Sequence, residues 1–136
     1  MQKLNEYREN LGFLQGTERL EYLIDLARKP TTLPEILRTE DRLVTGCMSK
    51  IWIDVGLVED LVQVYYDSDA MITKGITSIV CECYSNLPLK ESLKITQDDI
   101  HSLGIAELVT QQRRNGLSSL VGTIRKRLNA LENSND

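Results

Sequence analysis

Cys47 is the side chain with the widest scope for chemistry in this sequence. It sits in Thr45-Gly46-Cys47-Met48-Ser49-Lys50, between a helical stretch and a strand-like one. Gly46 permits a backbone turn that a side chain would block. A thiol on a loop tip can meet a partner molecule, and loops on a rigid scaffold are where chemistry concentrates. Lys50 and Arg42 lie close in sequence, and either cation would favour the thiolate. An unperturbed thiol of pKa about 8.5 is only a few per cent ionised near pH 7. From composition alone, a reactive Cys47 and a small packed cysteine both remain open. Cys81 and Cys83 are two apart on a predicted helix, so they point about 200° away from each other. They cannot share one metal, and packing is the expected role for both. His101 is the one histidine in the chain. That excludes multi-histidine metal sites and argues against histidine acid–base catalysis. On a short exposed helix, it reads as structural or solvated.

The chain that must position these groups has 136 residues, 41% hydrophobic and 26% charged. It is expected to form one domain over 1–136, with 132–136 a frayed polar tail. The composition excludes disorder for the body of the chain. No apolar run approaches the ~20 residues of a membrane span, and no secretory leader opens the sequence. A net charge of −4 argues against a general nucleic-acid binder, even with the basic run Arg125-Lys126-Arg127, which reads as the wet face of a helix. Three cysteines exclude a complete disulfide framework and fit a reducing, cytoplasmic setting.

Periodicity divides the chain into helix, hairpin and helix. The first 45 or so residues read as helical. Thr17 is expected to cap a helix carrying Leu20, Leu23, Ile24 and Ala27, which ends before Pro30. Ile51, Ile53, Val55 and Leu57 alternate with Trp52, Asp54 and Gly56, the pattern of a half-buried strand. Val62, Val64 and Tyr66 give a second strand, with Glu59-Asp60 at hairpin-turn distance. Ser68 or Asp69 is placed to cap a helix whose stripe is Ile72, Ile76, Ile79, Val80 and Cys83. Thr96-Gln97-Asp98-Asp99 has the form of a capping box. A last amphipathic helix is expected from about Asn115 to Leu131. The fold class is therefore α+β: a small antiparallel sheet with helices packed on one face.

Several blocks together carry a family resemblance. Gly46-Cys47-Met48-Ser49-Lys50-Ile51-Trp52 resembles the Gly-Cys-Gln-Ser-x-Val-Trp signature of the SufE family. Asp67-Ser68-Asp69-Ala70, with Ile72, Lys74 and Gly75, resembles that family's next block. Leu103-Gly104-Ile105 and Arg113-Arg114-Asn115-Gly116-Leu117 resemble two more, in the same order. The blocks span about residues 18 to 130. The family fold is a small antiparallel sheet covered by helices, shared with the U-type scaffold proteins.

The resemblance implies a sulfur acceptor. Cys47 would take persulfide sulfur from a cysteine desulfurase, stimulate that enzyme, and pass the sulfur on for iron–sulfur cluster assembly. Pyridoxal phosphate would belong to the desulfurase, so this chain needs no cofactor and no metal, and acts as a transpersulfidation partner rather than a stand-alone enzyme. Gly46 would shape the loop, with Met48, Ser49 and Lys50 around the thiol. Trp52 would pack beneath the loop and Asp69 would restrain it. Asp67 and Ser68 would cap the following helix, Lys74 would serve packing and solubility, and Gly75 would allow close helix–sheet approach. Arg113 would stabilise the thiolate or persulfide or bind the partner, unless it forms a surface salt bridge. The implied partners are a desulfurase and a downstream iron–sulfur scaffold or other sulfur acceptor, with no nucleic acid and no membrane. A monomer and a homodimer are equally compatible. Met48 stands in place of the family's usual Gln, Arg42 of Asn, Gln112 of Ser and Glu107 of His. The competing readings are a U-type cluster scaffold, which needs about three converging ligands, and a non-catalytic desulfurase-binding module.

Overall fold

A computed structural model describes residues 2–47, 49–108 and 111–134, with the backbone alone at 106, 108 and 111–114. Two helices open the chain, α1 (Gln2–Phe13) and α2 (Thr17–Ala27), followed by single turns at Glu35–Leu37 and Glu40–Arg42. The hairpin is β1 (Ile51–Val58) and β2 (Leu61–Ser68). Then come α3 (Met71–Tyr84), α4 (Leu89–Leu93), α5 (Gln97–His101), a turn at Ile105–Leu108, and the long α6 (Gln111–Ser134). This is the expected α+β class with one antiparallel pair of strands.

The hairpin register follows from its apolar alternation. Ile53 faces Tyr66, Val55 faces Val64 and Leu57 faces Val62 across the two strands. Ile53, Val62, Val64 and Tyr66 are buried beneath α3 and α6. The turn is tight enough to force Glu59 and Asp60 to φ values of 52° and 68°. Two successive left-handed residues match the twist of the strands. The core continues through Ile76, Ile79, Val80 and Cys83 of α3 and Leu117, Leu120, Val121, Ile124 and Leu128 of α6. Cys81 and Cys83 are both buried in it, as their positions on the helix predict.

The helix boundaries depart from the sequence reading in instructive ways. Thr17 is the first helical residue rather than the cap. Gly16 precedes it at φ 57°, ψ −129°, a conformation that a β-carbon would oppose. Neither Ser68 nor Asp69 holds the cap position of α3: Ala70 does, without a capping side chain, and its amide donates to Ser68 Oγ at 3.4 Å. The capping box at Thr96 and Asp99 forms as expected. Helix α4 has no counterpart in the sequence reading. Helix α6 begins at Gln111 and runs through Ser134, so Glu132, Asn133 and Ser134 are helical rather than frayed. Asn135 and Asp136 lie outside the described residues. Arg125 and Arg127 are not simply the wet face of α6. Arg125 donates to the Leu93 and Ile95 carbonyls, and Arg127 donates to those of Ile53 and Asp41. Gly75 does serve close approach, but between helices. A β-carbon there would stand 2.2 Å from the Leu23 carbonyl oxygen of α2.

Candidate functional site

The loop that carries Cys47 is pinned at its base by backbone hydrogen bonds. On one side the Val44 amide donates to the Ile51 carbonyl at 2.8 Å, and Leu43 pairs with Trp52. On the other side Lys50 is held by its backbone. Its amide donates to Asp69 Oδ1 at 3.0 Å. Its carbonyl accepts from the Asp69 amide at 3.2 Å and from Ser68 Oγ at 2.8 Å. Asp69 therefore ties the end of the loop to the start of α3. Ser68 is in the same tie rather than in a helix cap.

At the tip, Gly46 adopts φ 86°, a region that favours glycine. A β-carbon there would also come within 2.7 Å of Ser119 Oγ on α6. The chain thus turns inward and seats Cys47 half-buried against α6. Its Sγ donates to the Gly116 carbonyl at 3.4 Å. Gly116 is the reason that α6 comes so near: a β-carbon at this position would lie 3.4 Å from the sulfur.

Beside the thiol is a cavity of about 30 Å³, walled by Ile51, Ile76, Leu117 and Leu120 with Thr73 and Thr77. The Thr77 hydroxyl is occupied within its own helix, donating to the Thr73 carbonyl at 2.7 Å. The cavity is accordingly apolar in character. Burial pushes the Cys47 thiol above its ordinary value, because a thiolate loses more hydration than a thiol. Arg42 does not offset this. It is ion-paired with Asp54 at 3.7 Å and bonded to Thr39 Oγ1 at 2.9 Å. Lys50 is exposed and serves the loop through its backbone.

Other sequence-predicted residues fall elsewhere. Trp52 does not pack beneath the loop. The strand alternation turns it to the face opposite Ile51, and Ile51 is the residue that walls the cavity. Trp52 instead lies under the Arg38 guanidinium, 5.3 Å from the ring centroid, in a cation–π contact. Asp67, read from sequence as a cap, is 1% exposed. It forms ion pairs with Arg38 and, at 3.8 Å, with Lys74. Ser49 lines the cavity. Met48 lies outside the described residues, as does the side chain of Arg113. The backbone of Arg113 is in the first turn of α6, three residues before Gly116. The sequence reading assigned no role to Gly116, Ser119 or the cavity wall. Gly116 alone left a signal there, as a glycine inside an otherwise helical stretch. Among the described residues, no cluster of three His, Cys, Asp or Glu side chains is placed to hold a metal ion.

Residues 5–128 match the family model described as "SufE: Fe-S metabolism associated domain". This chain belongs to the SufE family. An uncharacterized SufE-like protein of Rhizobium meliloti is 33% identical over 131 residues, which is 92% of this chain and 94% of the relative. The cysteine desulfuration protein SufE of Wigglesworthia glossinidia brevipalpis is 27% identical over 90% of this chain and 92% of its own. The chloroplastic and mitochondrial SufE-like protein 1 of Arabidopsis thaliana is 30% identical over 84% of this chain, but that match covers 31% of the plant protein. A solution structure of a hypothetical protein from Thermus thermophilus has the same fold as this SufE chain. Its TM-score is 0.78 over 94% of both chains, at 18% identity. No helix among the described residues of the SufE chain is long and apolar enough to cross a membrane.

Proposed function

We propose that this SufE-family chain accepts sulfur from a cysteine desulfurase on Cys47 and passes it on for iron–sulfur cluster assembly. In the transfer, the Cys47 thiol loses its proton and the thiolate attacks the outer sulfur of the desulfurase persulfide. The S–S bond in the donor breaks, a new S–S bond forms on Cys47, and the donor cysteine leaves as a thiolate. No external oxidant or reductant is required, because the sulfane sulfur changes carrier without a net redox change. The pyridoxal phosphate chemistry that generates the donor belongs to the desulfurase. The same exchange, with Cys47 now the leaving group, hands sulfur to a downstream scaffold or other acceptor. Three free thiols suit the reducing conditions of the cytoplasm.

One observation carries the reading: the thiol adjoins an apolar cavity larger than it needs. About 30 Å³ exceeds the ~10–15 Å³ that admits a water molecule, so there is room for one atom beyond Sγ. A persulfide seated there would be shielded from reductants in bulk water. Burial keeps the resting thiol protonated, so the reactive thiolate forms when docking draws the loop outward. At its tip the loop is held inward by the Gly116 contact. Turnover of a desulfurase with and without this chain tests the proposal. Wild type should accelerate cysteine consumption, and Cys47→Ser should not, while keeping the native circular dichroism spectrum. Equal acceleration by folded Cys47→Ser would contradict it.

A further inference from the structure

One hydroxyl on the wall of the Cys47 cavity is left over. Thr73 is in the first turn of α3 and is 8% exposed. It lines the cavity together with Thr77, four residues on and on the same face of the helix. The two hydroxyls are used differently. That of Thr77 turns back onto the Thr73 carbonyl at 2.7 Å, a common way for a threonine inside a helix to satisfy its donor. The carbonyl that Thr73 would reach in the same way belongs to Asp69, ahead of the helix, and that bond is not made. Thr73 Oγ1 has no partner among the described residues. A buried hydroxyl in that state is uncommon, because losing water without gaining a bond is costly. The backbone of the same turn also has donors to spare. Ala70 holds the cap position without a capping side chain, and the amides of Met71, Ile72 and Thr73 have no acceptor among the described residues. The positive end of α3 therefore borders the cavity.

We infer that the Thr73 hydroxyl donates to the outer sulfur of a Cys47 persulfide and holds it, as the anion, inside the cavity. The inference rests on the sulfur-acceptor reading and names the group that retains the cargo. A persulfide is a stronger acid than its parent thiol, so its outer sulfur is charged at a pH where Cys47 itself keeps its proton. An anion among apolar walls is costly unless it receives hydrogen bonds. The walls from β1 and α6 are Ile51, Gly116, Leu117 and Leu120, and none is ionisable or has a side-chain donor. Asp69 has its Oδ1 on the Lys50 amide, and the Lys50 side chain is exposed. Ser49 also borders the cavity, but it is half-buried on the loop itself and travels with Cys47. Thr73 is the donor fixed to the scaffold. In a space of about 30 Å³, one added atom lies against its walls. The contact is a hydrogen bond alone: no proton leaves the oxygen, and no covalent bond is made or broken. An anionic outer sulfur resists attack by another thiolate, so the seated cargo is kept from stray reductants. When the loop swings outward, Thr73 stays behind on α3, and the sulfur loses that protection as it reaches its acceptor.

The full chain, loaded with sodium polysulfide, tests it. The Cys47 thiolate attacks a polysulfide sulfur, one S–S bond forms as another breaks, and a shorter polysulfide leaves. No desulfurase takes part, so a failure here is distinct from a failure to accept sulfur from that enzyme. Thr73→Val keeps the size and branching of the side chain and removes the donor, whereas Thr73→Ser keeps the donor. Against glutathione, wild type and Thr73→Ser should hold the added sulfur about tenfold longer than Thr73→Val, read by intact mass over time. The ionisation midpoint of the persulfide, followed by its near-ultraviolet absorbance, should lie about one pH unit higher in Thr73→Val. Unloaded Cys47 already donates to the Gly116 carbonyl, so its rate with iodoacetamide should be the same in all three proteins. A structural role for Thr73 would move that rate as well. Equal lifetimes and midpoints in wild type and Thr73→Val would overturn the inference, as would a Thr73→Ser that behaves like Thr73→Val. So would a wild-type Cys47 that holds no sulfur after loading.

Discussion

Gly116 sets the room around the Cys47 sulfur. A methyl group there would lie at ordinary contact distance from Sγ, 3.4 Å away, so Gly116→Ala should fold. It would occupy space that an added sulfur needs and crowd the carbonyl that receives the thiol. The expected outcome is a thermal midpoint close to wild type with a several-fold drop in persulfide formed on Cys47, read by mass spectrometry. Gly46→Ala should be worse, since it combines φ 86° with a 2.7 Å approach to Ser119 Oγ. At this scale Cys47 was legible because its loop sequence is distinctive. The cavity was not. Its walls come from β1, α3 and α6, and nothing in local sequence brings Ile51, Ile76 and Leu120 together.

At the scale of elements, the loop is only as steady as its tie to α3. Asp69→Ala removes the acceptor for the Lys50 amide, at a cost of about 1 kcal/mol for a partly exposed bond. Cys47 should then react several-fold faster with iodoacetamide at pH 8, while Cys81 and Cys83 remain unreactive in the core. An unchanged rate would mean that Asp69 does not hold the loop. Asp67 is a different case. Its carboxylate is 1% exposed and faces both Arg38 and Lys74. Asp67→Ala strands two partly buried cations and should lower stability by about 3 kcal/mol, the low end for a broken buried pair. The denaturant midpoint would read this directly.

Asp67, Ser68 and Asp69 also show why part of the fold was hidden in the sequence. An acidic, hydroxyl-rich triplet before an apolar helix has the grammar of an N-cap. Here each side chain also answers a group distant in sequence: Arg38, the Lys50 carbonyl and the Lys50 amide, while Asp67 and Ser68 accept locally from the Ser68 and Ala70 amides. The Thr96 box was legible because both its partners lie within three residues. The hairpin was legible because alternation over eight residues is a long signal. Helix α4 is five residues long and starts after Pro88, too short for any period to register. The first turn of α6 carries Gln111, Gln112, Arg113 and Arg114, with no apolar stripe to mark it.

Over the whole molecule, the described thiols and phenols with resolved shifts are all driven the same way. Burial raises Cys83 and Tyr84 to about 12, and also raises Cys47, Tyr66 and Cys81. The folded state therefore keeps protons that the unfolded chain releases. That stability is complete below the unfolded values and falls as pH rises through the window from about 9 to 12. Each group fully inside its window removes up to about 1.4 kcal/mol per pH unit. Urea midpoints should be level from pH 7 to 8 and decline steeply above pH 9. A flat profile to pH 11 would contradict the burial of these groups.

The account rests on Cys47 receiving a sulfur atom. The direct measurement is intact-mass spectrometry of the chain after incubation with a cysteine desulfurase, pyridoxal phosphate and cysteine, followed by digestion to locate the change. The predicted result is an increment of one sulfur atom, removed by a thiol reductant and confined to the peptide that contains Cys47. An increment on the Cys81 and Cys83 peptide alone, or none with a desulfurase that this chain stimulates, would contradict it.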